Sequence, residues 1–164
     1  MVVGTLSSYG RDSTATSAEI LAKEFPGVLP GGFAVVDRGR VIAPGCCCGL
    51  ETWRDWLGVV RTRRSPWMGH DPAPLVEVLE DSVHVWTDGG LTGKPKGESP
   101  IVFSRHEFEK SVQLAANDLS EFEDQLRTWL FVHAKRYWKG IANHFRQIFI
   151  SGGKDHQRTR GTLE

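Results

Sequence analysis

The sequence predicts a single α+β domain, in which an antiparallel sheet of about five strands packs against N-terminal, central and C-terminal helices. Two observations lead there. Short runs rich in β-branched residues recur in pairs separated by tight turns, close enough in the chain to pair antiparallel. Longer stretches with apolar residues at helical spacing follow Ser or Thr residues that carry Glu three positions on, the signature of a capping box. The implied order is helix, hairpin, helix, hairpin, strand, then two or three helices, which is an α+β layout.

Residues 1–15 are rich in Ser, Thr and Gly without apolar periodicity and read as a mobile leader. Thr16 and Glu19 have capping-box spacing, and Ile20, Leu21 and Phe25 follow, so a short helix is expected up to Pro26-Gly27. Phe33-Ala34-Val35-Val36 and Val41-Ile42-Ala43 flank Asp37-Arg38-Gly39-Arg40, which predicts a hairpin. Leu50, Trp53, Leu57 and Val60 recur at α-helical spacing with Trp56 beside them, which predicts an amphipathic helix. An irregular stretch from Ser65 to Pro74 precedes a second hairpin, Leu75 to Leu79 and Val83 to Thr87 around Glu80-Asp81-Ser82. Asp88 to Ser99 holds four glycines and a proline and reads as a loop, and Pro100 to Phe103 as an edge strand. Ser104 with Glu107 and Ser120 with Glu123 predict two helices, with apolar faces Phe108, Val112, Ala115 and Leu119, then Phe122, Leu126, Trp129 and Leu130. Gly140 precedes a last helical segment carrying Ile141, Phe145 and Ile148, and residues 151–164 form a polar tail beyond a domain spanning 16–150.

Composition limits the function classes. The chain has 164 residues, 40% of them hydrophobic with six tryptophans, which suits one core-bearing domain. Lys plus Arg equals Asp plus Glu at 20 each, so there is no basic surplus to supply nucleic-acid affinity by counterion release. No apolar stretch reaches bilayer length and no signal-peptide pattern opens the chain, so a cytoplasmic location without direct nucleic-acid or membrane partners is expected. Gly89-Gly90-Leu91-Thr92-Gly93-Lys94 lacks the first glycine of a phosphate loop, and no cofactor is expected.

All three cysteines stand together in Pro44-Gly45-Cys46-Cys47-Cys48-Gly49. This is neither a disulfide framework nor a zinc motif, since both spread their cysteines along the chain. The plainer reading is a tight strand-to-helix corner of small apolar side chains. The alternative is a thiol or metal site in which Cys46, Cys47 and Cys48 meet His70, with Asp71 or His84 also within reach of folding. A vicinal disulfide is a third reading. No residue is assigned as catalytic.

The charge pattern adds a different candidate. From Asp71 to Asp88 there are five acids and no Lys or Arg, whereas Lys135, Arg136, Lys139 and Arg146 make the last helical region basic. Glu77, Glu80, Asp81 and Asp88 on a hairpin could meet a basic surface of another protein, with Trp67, in a loop, as an apolar anchor.

The run Phe25-Pro26-Gly27-Val28-Leu29-Pro30 followed by Phe33 is similar to the Leu-Pro entry after the first helix of the SUKH superfamily of bacterial toxin-immunity proteins. Leu119-Ser120-Glu121-Phe122 with Leu126 resembles a late helix of that family. The resemblance implies an α+β scaffold that binds and blocks a cognate toxin, a basic one in view of the acidic hairpin, and needs no catalytic residues. Two functions are therefore expected to compete: a non-catalytic, immunity-like factor acting by occlusion, and a small thiol- or metal-dependent enzyme built on Cys46 to Cys48 with His70.

Overall fold

A computed structural model describes residues 17–151, so the expected leader, the capping residue Thr16 and nearly all of the expected tail lie outside the described residues. Among the described residues four α-helices and five strands make an α+β domain. α1 is Ser17–Lys23, β1 Val35–Asp37, β2 Arg40–Ile42 and α2 Val59–Thr62. β3 Leu75–Val78, β4 Ser82–Trp86 and β5 Ile101–Ser104 follow, then α3 Arg105–His133 and α4 Trp138–Phe145. All strand pairs are antiparallel, but they form two sheets rather than one of five strands: β1-β2 and β3-β4-β5. β1 and β2 have three residues each and pair only with each other, Val35 opposite Ile42. In the larger sheet Val76 faces Val85 and Val83 faces Phe103, and Val83 and Val85 are fully buried.

The segment before α2 departs from the expected helix in an instructive way. Leu50–Gly58 is a 3-10 helix. At three residues per turn, side chains at i and i+3 eclipse. Leu50, Trp53, Trp56 and Val59 therefore line one side, where Trp53, Trp56 and Val59 are buried, while Leu57, placed inward by an α-helical period, is exposed.

The two expected late helices are one. The capping box at Ser104 forms, with Ser104 accepting from the Glu107 backbone and Glu107 accepting from Ser104, but Ser120 lies inside a helix of 29 residues. No Gly or Pro interrupts 105–133, so propagation, which adds a bond per residue, outweighs a new start that would break several. Glu123 is buried instead of capping, with Arg127 at 3.5 Å and Arg146 at 3.7 Å. The continuous register turns Leu119, Leu126 and Leu130 inward and leaves Phe122 and Trp129, expected on the apolar face, exposed.

The core forms three adjoining clusters. The first joins the two sheets to Trp56, Val59, Phe108 and Val112. The second collects Trp53, Leu119, Phe145 and Phe149, and the third packs Leu130 and Ala134 against Ile141 and Ala142. Trp53 ties the chain's halves together, since its indole N–H donates to the Phe149 carbonyl at 2.6 Å in a buried setting. Trp53→Phe keeps most of the apolar volume but strands that carbonyl. It is expected to lower unfolding free energy by about 1–3 kcal/mol, read by urea denaturation, with secondary structure unchanged.

Candidate functional site

The cysteine segment runs between two distant pieces of chain and pairs with both. On one side the Gly45 N–H donates to the Met68 carbonyl at 2.7 Å, and Cys46 and His70 exchange both backbone bonds, at 2.9 and 3.1 Å. On the other side the Gly31 N–H donates to Cys48 and the Leu50 N–H to Leu29, at 3.0 and 2.8 Å. Cys47 sits between the two pairings with φ +61, a left-handed conformation that costs a residue with a side chain roughly 1–2 kcal/mol. Such strain persists only where surrounding bonds hold it. The clamp supplies them.

Two glycines make this approach feasible. A Cβ on Gly45 would collide with the Pro72 and His70 carbonyls, and one on Gly69, whose φ is +86, would collide with the Cys46 carbonyl. The two backbones thus touch where side chains would have kept them apart.

The pairing brings Cys46 and His70 side by side. Cys46 Sγ lies 2.8 Å from His70 Nδ1. One donor atom from each of Cys46, Cys47 and His70 falls within 4.8 Å of the others. Cys46 and Cys47 are exposed and His70 is partly so. Cys48 is different: it is buried at the corner, its thiol 3.5 Å from the Trp67 carbonyl, as the packed-corner reading expects of a cysteine. Trp67, expected as an apolar anchor, packs beside the cysteine corner and stays partly exposed. Its indole N–H donates to the Cys47 carbonyl at 3.3 Å and its ring meets His70 edge-on. His84 is elsewhere, on β4, with its Nε2 3.1 Å from the Ser82 hydroxyl.

The surroundings of Cys46 favour its thiol over its thiolate. Partial desolvation first, then the adjacent Cys47 thiol and the Asp71 carboxylate, push the Cys46 thiol above its ordinary pKa, opposed by a backbone hydrogen bond at His70. Burial likewise raises Cys48. An activated cysteine shows the reverse shift. A relay also needs the thiol on one ring nitrogen and the orienting carboxylate on the other. Here Asp71 Oδ2 approaches the same Nδ1, at 3.4 Å, that faces Cys46.

The acidic hairpin divides. Asp88 is occupied internally, its Oδ1 accepting from the Ala73 and Gly89 backbone at 3.2 and 2.7 Å. Glu77, cross-strand from His84, accepts from the Trp86 indole at 3.4 Å. Glu80 and Asp81 are exposed at the turn between β3 and β4, and just before them the Leu79 carbonyl accepts from the Arg105 guanidinium, which brings a positive charge to the turn. Two cavities lie apart from all of these residues: one of about 460 Å³ along α3, lined by Asp124, Gln125, Thr128, Trp129 and Val132, and one of about 560 Å³ between the β1-β2 turn, β5 and the start of α3. No helix among the described residues is long and apolar enough to cross a membrane.

No protein-family model, curated protein or solved structure matches this chain.

The thiolate is the form that reacts with iodoacetamide, so a raised pKa slows reaction near neutrality and extends its pH dependence upward. Cys46 is expected to alkylate with a rate still climbing beyond the ordinary thiol pKa, and Cys48 to react far more slowly than either neighbour. Asp71→Asn removes one of the raising charges and is expected to quicken Cys46. Site-resolved mass spectrometry against pH reads all three outcomes.

Proposed function

We propose that this protein binds a single thiophilic metal ion through Cys46 Sγ, Cys47 Sγ and a ring nitrogen of His70. The observation that carries this reading is the convergence of two sulfurs and an imidazole within 4.8 Å, from chain stretches locked together by paired backbone bonds. Three donors on clamped backbone lose little conformational freedom on coordination, which favours binding. The chemistry requires modest movement. Two ligands of one ion stand about 3.5 Å apart at metal–sulfur and metal–nitrogen lengths of about 2.3 and 2.0 Å, so the Cys46 to His70 contact of 2.8 Å opens as the thiol proton leaves. Both groups have exposed surface in which to rotate.

Metal binding fits the site better than thiol catalysis does. Coordination deprotonates thiols whatever their resting pKa, whereas a nucleophile depends on a lowered one. The shared Nδ1 contact, which defeats a relay, does not prevent a ring nitrogen from ligating.

Anaerobic, reduced protein is expected to take up one equivalent of cobalt(II) or zinc(II), with cobalt giving sulfur-to-metal charge-transfer absorption. Cys46→Ser, Cys47→Ser and His70→Ala should each weaken binding at least tenfold, while Glu80→Gln should leave it unchanged. Wild-type protein that retains no ion at micromolar concentration would end this reading.

A second reading, occlusion of a basic partner protein in the manner of an immunity factor, is supported by the exposure of Glu80 and Asp81 at the hairpin turn. Of the expected contact residues these two acids are the most exposed, while Glu77, Asp88 and Trp67 also bond within the fold. The readings separate cleanly. Occlusion requires that Glu80→Gln with Asp81→Asn abolish neutralisation of such a partner and that Cys46→Ser with Cys47→Ser leave it intact.

A further inference from the structure

Resting on the metal-binding reading, the donor set narrows the ion: we infer that the site takes monovalent copper, held three-coordinate by Cys46 Sγ, Cys47 Sγ and His70, with its outer side open to exchange with an external thiol. Softness is the first argument. Two of the three donors are thiolates, and soft sulfur ligands select copper(I) over harder cations. The number of donors is the second. Among the described residues no further His, Cys, Asp or Glu joins the three. Zinc seeks four ligands and would need to complete its shell with water, whereas a filled-shell monovalent ion is satisfied by three in a plane. Asp71 Oδ2 stands 3.4 Å from His70 Nδ1 but lies outside the set of three converging donors.

The adjacency of the two cysteines is the third argument. Consecutive Cα atoms are about 3.8 Å apart, below the roughly 4.4–6.8 Å that a relaxed disulfide spans, so the pair favours the dithiol state in which it can chelate. Residues that alternate along a strand point to opposite faces. The left-handed backbone at Cys47 breaks that alternation, and both thiols come within reach of one imidazole. Binding is a proton exchange without redox change: copper(I) replaces the protons of two thiols, two protons leave to solvent, and the two thiolates, imidazole and ion together carry a single negative charge.

Exposure sets the last property. Both cysteines are open to solvent, so an incoming thiolate reaches the ion directly and displaces one ligand at a time. A buried four-ligand site would hold its ion against such exchange.

The test supplies copper(I) anaerobically as its bicinchoninate complex to the full chain, in competition with equimolar zinc(II), followed by X-ray absorption at the copper edge. The expected result is one copper per chain that zinc does not displace, with two sulfurs and one nitrogen around it, and transfer to added glutathione within seconds. His70→Ala should lose the nitrogen and at least tenfold in affinity; the folded state of each variant is checked by circular dichroism. Zinc retained in preference to copper, a copper shell of two sulfurs that His70→Ala leaves unaltered, or copper that millimolar glutathione cannot remove would each overturn the inference while leaving the metal-binding reading standing. If neither ion binds, both fall.

Discussion

Two-sided backbone pairing of residues 45–50 holds the cysteine corner in place. One side is held by the stretch around Met68 and His70, the other by Leu29 and Gly31, and the left-handed Cys47 lies where the chain changes partners. These bonds do for an irregular loop what a sheet does for strands. They satisfy backbone groups that would otherwise need water, and they fix side chains from positions more than twenty residues apart in one geometry. Gly45 and Gly69 are part of the same device, since a methyl group at either would separate the two backbones.

The cysteine corner is anchored to the core by its neighbours in the chain. Trp56 and Val59, which follow the cysteine corner, enter the main cluster with Val83, Val85 and Phe108, and Trp53 reaches the far end of the chain through the Phe149 carbonyl. The corner is thus tied to two of the three core clusters within a few residues of the thiols. Trp67 closes it from the outside by bonding to Cys47 and leaning on His70.

Charge shows the same division between pattern and placement. The acid-rich stretch from Asp71 to Asp88 is a real feature of the composition, yet its members do different work. Asp88 closes a turn by taking two backbone donors, Glu77 receives an indole, Asp71 stands beside an imidazole, and Glu80 and Asp81 alone project from a hairpin whose turn also receives the Arg105 guanidinium. A run of like charges along the chain is not a patch on the surface, because strands send alternate residues to opposite faces and turns spend carboxylates on backbone.

The sequence by itself determined the α+β class, both hairpins and the Ser104 start of α3, since those follow from local periodicity and capping, which act over a few residues. It left the winding of 50–58, the fusion of two expected helices into one and the division of the strands between two sheets to tertiary structure, because each is decided by what the core will accept from distant elements. The site shows the boundary best. The residue types at Cys46, Cys47, Cys48 and His70 could be singled out from the chain, but only folding could separate the two exposed thiols from the buried one and set an imidazole against them, since that depends on backbone bonds across more than twenty residues.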